Sequence, residues 1–171
     1  MKARRMRMRS TSGLRRAVLR APILLYRWHL GWLLGSRMLL LTHTGRTSGL
    51  PRQVVLEVTG RDPRTGAYHL ASGFGPGAQW YRNVQRTPQV TIQVGRHRMA
   101  AVAQPLDPEG SGRLMAAYAL LHPRLARGLM RMCGLKTDGS VEDYHRIGRD
   151  HIPFVRVLPD EPSGSPAPPG R

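Results

Sequence analysis

Apolar and polar positions along the chain alternate in short runs, and most of these runs are too brief for helices. Met38 to His43 is a short, mainly apolar run, too brief for a helix, and reads as a first strand. Gln53 to Thr59 reads as a second, Gly60 to Gly66 has the composition of a tight hairpin connection, and Ala67 to Ala71 is the returning partner. Ser72 to Ala78 carries three glycines and Pro76, so it is a loop. Gln79 to Gln85 then reads as a short helix that must end before Thr87-Pro88. Gln89 to Val94 alternates polar and apolar, Gly95-Arg96 turns, and Arg98 to Ala103 returns: a hairpin with one buried face. Asp107 and Pro108 supply an N-cap and a first helical residue for a helix to about Leu121. Pro123 to Met132 continues helically, Gly134 closes it, and Ile152 to Leu158 is a last strand.

About six short strands joined mostly as hairpins, with helices at the ends and on one side, predict a mainly β (α+β) domain. No strand–helix–strand alternation runs through the chain and no GxGxxG fingerprint is present, which argues against a dinucleotide-binding parallel sheet. A compact antiparallel barrel is the expected architecture, and 171 residues suffice for one domain with a real core.

Charge changes the picture at the N-terminus. The net charge is +17, and between Met1 and Leu56 there are twelve basic residues and no acidic one. Such a block is either a solvated arm or an element drawn to polyanions. Leu14 to Leu34 is apolar but interrupted by Arg15, Arg16, Arg20 and Arg27, so it neither spans a bilayer nor makes a signal peptide. It reads as an amphipathic helix carrying Tyr26, Trp28 and Trp32, either packed on its own domain or lying in a membrane interface. Pro159 onward is rich in proline, glycine and serine and should be disordered. The expected organisation is therefore a basic arm at 1–13, the amphipathic helix at 14–36, the barrel at 37–158 and a tail at 159–171.

The candidate chemistry is sparse. One cysteine, Cys133, cannot form an internal disulfide, so a reducing, cytoplasmic location is expected, with Cys133 a small apolar residue. The seven histidines (29, 43, 69, 97, 122, 145 and 151) come without HExxH, a close cysteine pair or an acidic cluster, so no metal site is expected. Ser72 lacks the G-x-S-x-G elbow of a serine hydrolase. A nucleic-acid-binding module would want aromatics interleaved with the basic arm, and residues 1–25 contain none.

One stretch stands out. Leu39 to Arg52, LLLTHTGRTSGLPR, takes an apolar run into a turn dense in hydroxyls and arginines, which suits wrapping a phosphate with N–H groups and guanidinium forks. The alternative is a plain hairpin turn with exposed arginines. His43, just before the turn, is either a structural residue at a strand end or a phosphate donor.

Gly45-Arg46-Thr47-Ser48-Gly49-Leu50-Pro51-Arg52, Ala71-Ser72-Gly73-Phe74-Gly75 and Trp80-Tyr81-Arg82-Asn83 together resemble the deazaflavin (coenzyme F420)-dependent nitroreductases. The likeness extends weakly to Tyr144 and Ile152-Pro153-Phe154-Val155, covering roughly residues 20 to 158. It implies a split β-barrel of about six antiparallel strands with flanking helices, and coenzyme F420 rather than FMN as cofactor. By the same resemblance Arg46, Thr47, Ser48, Gly49 and Arg52 hold the phosphate end of the coenzyme. Ser72, Gly73, Phe74 and Gly75 lie along the ring and ribityl chain, with Trp80, Tyr81 and Asn83 completing the site. Protonation of the product is open to Tyr144, the catalytic candidate, to His145 or to solvent.

The sequence departs from better-known members at Gly73, where many carry lysine, at Glu57, where some carry tyrosine, and at Val141, which replaces an aromatic on the substrate side. The implied activity is hydride transfer from reduced F420 to a quinone or a nitro compound. A non-catalytic F420-binding or storage protein is the alternative, with a basic nucleic-acid module as one from another class. The N-terminal helix adds the expectation of peripheral association with an anionic membrane, on the inner face of the plasma membrane, through residues 1–34.

Overall fold

The computed structural model describes residues 35–160. The basic arm, nearly all of the amphipathic helix and the tail beyond Asp160 lie outside the described residues. Six strands appear in order: β1 (Met38–Thr44), β2 (Pro51–Arg61), β3 (Tyr68–Ala71), β4 (Gln89–Val94), β5 (His97–Pro105) and β6 (Phe154–Pro159). Every pairing is antiparallel, and the order β1-β2-β3-β6-β5-β4 closes on itself through β4 and β1. Closure leaves none of these strands as an open edge. This is the split β-barrel that the resemblance implies.

Four helices accompany the barrel among the described residues: α1 (Gln79–Arg86), α2 (Pro108–Leu121), α3 (Pro123–Cys133) and α4 (Val141–Asp150). The first three fall where the hydrophobic pattern places them. Asp107 caps α2 by accepting from the Gly110 amide, and Gly134 ends α3 in the left-handed conformation at φ 70°. The pattern does not predict α4. Its core residues are only Tyr144, Ile147 and Gly148, but Ser140 accepts from the Asp143 amide as N-cap, and Glu142 and Asp143 occupy its first turn.

Strand periodicity builds the interior. Leu39, Leu41, Leu70, Ile92, Val155 and Val157 are fully buried there, and α1 closes one mouth with Trp80, Tyr81 and Val84. A β-bulge near Thr59 re-aims β2, and the Thr59 hydroxyl donates to the His69 carbonyl at 2.9 Å. Outside the barrel α2, α3 and α4 form a second cluster around Met115, Met130, Tyr144, Ile147 and Phe154. Glu57 joins the two layers: it accepts from the Tyr118 hydroxyl at 3.1 Å and from Arg37 at 3.3 Å. Burial, with the Glu57 carboxylate beside it, pushes the Tyr118 phenol well above its ordinary range.

Candidate active site at the barrel mouth

The β1–β2 connection is a single helical turn. Gly49 N–H donates to the Gly45 carbonyl and Gly45 N–H to Leu50, both at 2.8 Å. Gly49 sits at φ 67°, where a side chain is strained, and a Cβ on Gly45 would lie 2.7 Å from Ser48 Oγ. The first amides of a helical turn have no partner within it. That of Arg46 is taken by Asn83 Oδ1 at 3.1 Å, whereas those of Thr47 and Ser48 have none among the described residues. The turn thus presents two amides, the Thr47 hydroxyl and an arginine outward, while Ser48 Oγ accepts from the Leu50 amide within the turn at 3.3 Å.

Between this turn, the adjoining ends of β1 and β2, the start of α1 and the side chain of Phe74 lies a cavity of about 550 Å³. Arg46, Thr47, Ser48 and Arg52 line its polar side, with Val54, Phe74, Ala78 and Trp80 supplying apolar surface. Among the described residues no Asp or Glu lines it, and neither Arg46 nor Arg52 pairs with a carboxylate.

Beneath the turn runs a buried polar network. The period of two that buries Leu39 and Leu41 also turns His43 inward, where it is 5 % exposed. Asn83, equally buried, donates from Nδ2 to His43 Nδ1 at 3.1 Å. Its Oδ1 accepts from both the Arg46 amide and Arg46 Nη1, each at 3.1 Å, and Nη1 also donates to Gln79 Oε1 at 2.7 Å. Burial holds the His43 pKa below its usual value, and the nearby Arg52 charge acts in the same direction; a bond to the Thr44 backbone opposes them.

The structure brings Arg46, Thr47, Ser48, Arg52, Phe74, Trp80 and Asn83 to one cavity. Other expected site residues stand elsewhere. The Gly49 amide closes its own turn, so it is not offered to a ligand. Ser72 is fully buried and donates to the Gly75 carbonyl at 2.7 Å, a clamp on its own loop. The glycines beside it serve chain-to-chain contact: a Cβ on Gly73 would sit 3.1 Å from Cys133 Sγ, and one on Gly75 3.3 Å from the His151 carbonyl. Tyr81 packs in the barrel core. Tyr144 lies in the helical cluster, 4 % exposed, and does not line the cavity.

Gln79 is the residue of the network that motif reading did not assign, and His43, open between a structural residue at a strand end and a phosphate donor, was not given its partner Asn83. Gln79 has no sequence signal beyond its place at the start of α1; His43 had one, the inward parity of its strand.

The Tyr144 hydroxyl has no hydrogen-bond partner among the described residues. Removing an unpaired buried hydroxyl forfeits no bond, so Tyr144→Phe is expected to leave stability unchanged or raise it by up to about 1 kcal/mol. Thermal unfolding checks this, and a fall of several degrees would mean the hydroxyl is bonded after all.

The family profile for F420H(2)-dependent quinone reductases matches residues 28–128, more than half of the chain. The chain belongs to that family. Its cofactor is accordingly the deazaflavin coenzyme F420, and its chemistry that of an oxidoreductase. Among solved structures, an F420-H2 dependent reductase (FDR-A) is 26 % identical, with 71 % of this chain and 93 % of that one covered and a TM-score of 0.48. A protein of unknown function from Agrobacterium tumefaciens shares the fold at TM-score 0.50 and 15 % identity, with 81 % of this chain and 55 % of that one covered. A pyridoxamine 5'-phosphate oxidase-related, FMN binding protein from Nostoc punctiforme is 15 % identical at TM-score 0.48, with 82 % and 80 % covered. No curated protein matches the chain.

The residues present fit such a coenzyme. A phosphodiester needs cations and N–H donors without a competing carboxylate, and a planar ring needs apolar and aromatic walls; the cavity has both. Among the described residues no group of three or more His, Cys, Asp and Glu is placed to hold a metal ion. No helix among them is long and apolar enough to cross a membrane.

Proposed function

We propose that this protein reduces a quinone with F420H2 at the barrel mouth. The observation that carries the reading is a cavity with two arginines and, among the described residues, no carboxylate, walled by Trp80 and Phe74, in a chain of this family. When bound, the coenzyme supplies a hydride, two electrons with one proton, and a second proton from solvent completes the quinol. The protein's part is to bind and orient.

Arg52, the Thr47 and Ser48 hydroxyls and their unpaired amides would hold the phosphodiester, to which Arg46 would add its fork. Val54, Ala78 and Trp80 form an apolar wall that would orient the ring and exclude water from it. Phe74 is 61 % exposed at the rim, a large apolar surface that a flat acceptor would cover. Since Tyr144 lies away from the cavity, no tyrosine proton donor enters this account.

Nitro compounds are a second acceptor class for the same hydride. The basic, apolar segment at 1–34 supports a position at an anionic bilayer, where quinones partition.

The test is anaerobic oxidation of F420H2 by purified full-length protein. Menadione is expected to support turnover, a nitroaromatic to do so more slowly, and menadione in anionic vesicles to turn over faster than in neutral ones. Coenzyme binding without turnover on either acceptor would replace the reductase with a carrier of F420.

A further inference from the structure

We propose that His43 and Asn83 form a positioning pair that aims Arg46 and its loop at the coenzyme, and that the pair works only while His43 is neutral. The inference rests on the cavity being the coenzyme site.

Asn83 has little left to offer a ligand. Oδ1 has two lone pairs and both are taken, by the Arg46 amide and by Nη1. One Nδ2 hydrogen goes to His43. The amide orientation is therefore set by its partners: two donors demand the oxygen on the Arg46 side, which leaves nitrogen facing His43. Nδ1 of His43 must then be the acceptor, and the ring proton resides on Nε2.

At Arg46 the consequence is directional. Both Nη1 hydrogens are engaged, one by Asn83 and one by Gln79. Nε and Nη2 remain, the side-on edge of the guanidinium that grips two oxygens of a phosphate at once. Asn83 also seizes the Arg46 amide, so the same atom that orients the side chain holds the turn whose Thr47 and Ser48 amides are open. His43 also lines the cavity but makes no hydrogen bond to the fork or to those amides; it acts on them through Asn83.

Protonation of His43 would place a second N–H against Nδ2. Asn83 would have to rotate, and its NH2 would then meet the Arg46 amide and Nη1, donor against donor. The charged and titratable neighbours offer no relief. Arg52 is opposite His43 on β2, Arg46 lies across Asn83, and α1 contributes no carboxylate. A purely electrostatic role predicts the opposite sign, because a cationic His43 would attract an anionic coenzyme. The two readings thus differ in the direction of a pH profile.

The experiment is calorimetric titration of the full-length protein with oxidised F420 between about pH 5 and 8, beside His43→Asn, whose side-chain oxygen keeps an acceptor near the Nδ1 position. Taking the ratio of the two affinities cancels ionisation of the coenzyme itself. The wild-type protein is expected to lose affinity on acidification, by at most about tenfold per pH unit for one proton. His43→Asn should bind within a few-fold of wild type at pH 8 and lose that dependence. His43→Leu, with no acceptor, should bind roughly tenfold more weakly throughout.

Nitrogen-15 spectra of the free protein supply a readout without the coenzyme: His43 should be the Nε2–H tautomer, and the Nδ1–H tautomer would overturn the proposal. Parallel profiles for wild type and His43→Asn, or wild-type affinity that rises on acidification, would overturn it too while leaving the cavity as the coenzyme site. Failure of the wild-type protein to bind F420 at any pH would remove the cavity reading and this one with it.

Discussion

Arg52→Ala is expected to weaken F420 binding about 10- to 100-fold, and Arg46→Ala by a similar factor. The estimate comes from the strength of charge-assisted hydrogen bonds, about 1.5–3 kcal/mol each where the partner is ionised. The substitutions should differ in what else they do. Arg52 has no side-chain hydrogen bond or ion pair among the described residues, so its loss should leave thermal unfolding nearly unchanged. Loss of Arg46 takes away a donor from Asn83 and from Gln79, so a small drop in stability should accompany the affinity loss. Arg46→Lys should rescue little, because an ammonium lacks the fork. Calorimetric titration with oxidised coenzyme, with a thermal melt of each variant, checks all three. Affinities within twofold of wild type for both alanine variants would mean that the phosphate end lies elsewhere.

Much of this was legible in the sequence, and the reason is local. The turn at Gly45–Arg52 announces itself because glycines are demanded by contacts only a few residues away: Gly45 against Ser48, Gly49 by its own backbone angle. The hairpins are similar, since strand parity and turn residues are neighbours in sequence. Antiparallel pairing then followed for β1–β2, β2–β3 and β4–β5, whereas the β3–β6, β5–β6 and β1–β4 pairings that close the barrel join residues far apart, and no turn signal announces them.

Site residues divide along the same line. Arg46, Thr47, Ser48 and Arg52 meet at one cavity because they sit on one turn and the start of the strand that leaves it. Ser72, Gly73 and Gly75 do not line the cavity, and a glycine-rich segment looks alike in sequence whether its glycines admit a ligand or another part of the chain. What decides is the neighbour, Cys133 Sγ for Gly73 and the His151 backbone for Gly75, and both are supplied by segments more than fifty residues away. The same distance hid α4. Its apolar residues are too few to declare a helix, and what makes it one is a fit against α2 that no window of sequence contains.

That fit leads to the largest expected loss of stability. Gly148→Ala should destabilise the protein by about 3 kcal/mol or more, and lower the melting temperature by roughly 6–12 °C. A Cβ on Gly148 would stand 2.5 Å from Met115 Cβ, 2.6 Å from the Ser111 carbonyl and 3.0 Å from Gly112 Cα. Backbone atoms and a Cβ cannot swing aside, so α2 and α4 must separate, opening the cluster around Met115, Ile147 and Phe154. Gly128→Ala, in exposed α3 with nothing near its Cβ position, should instead stabilise by about 0.5–1 kcal/mol, because alanine is the better helix former. Opposite signs from the same substitution would place the cause in the helix crossing.

The effect should reach the cavity as well. Ser111 Oγ accepts from the Phe154 amide at 3.0 Å, and the Pro153 carbonyl beside it accepts from the Ser72 amide at 2.9 Å. Displacing α2 therefore disturbs the support of the loop that carries Phe74 to the cavity rim, and Gly148→Ala is expected to weaken F420 binding several-fold at temperatures where it is still folded. Denaturation melts and coenzyme titration at 15 °C together check the chain of contacts. An unchanged melt would show that α4 tolerates the added methyl; a lowered melt with unchanged affinity would show that the loop at residues 72–78 is held independently of the helical layer.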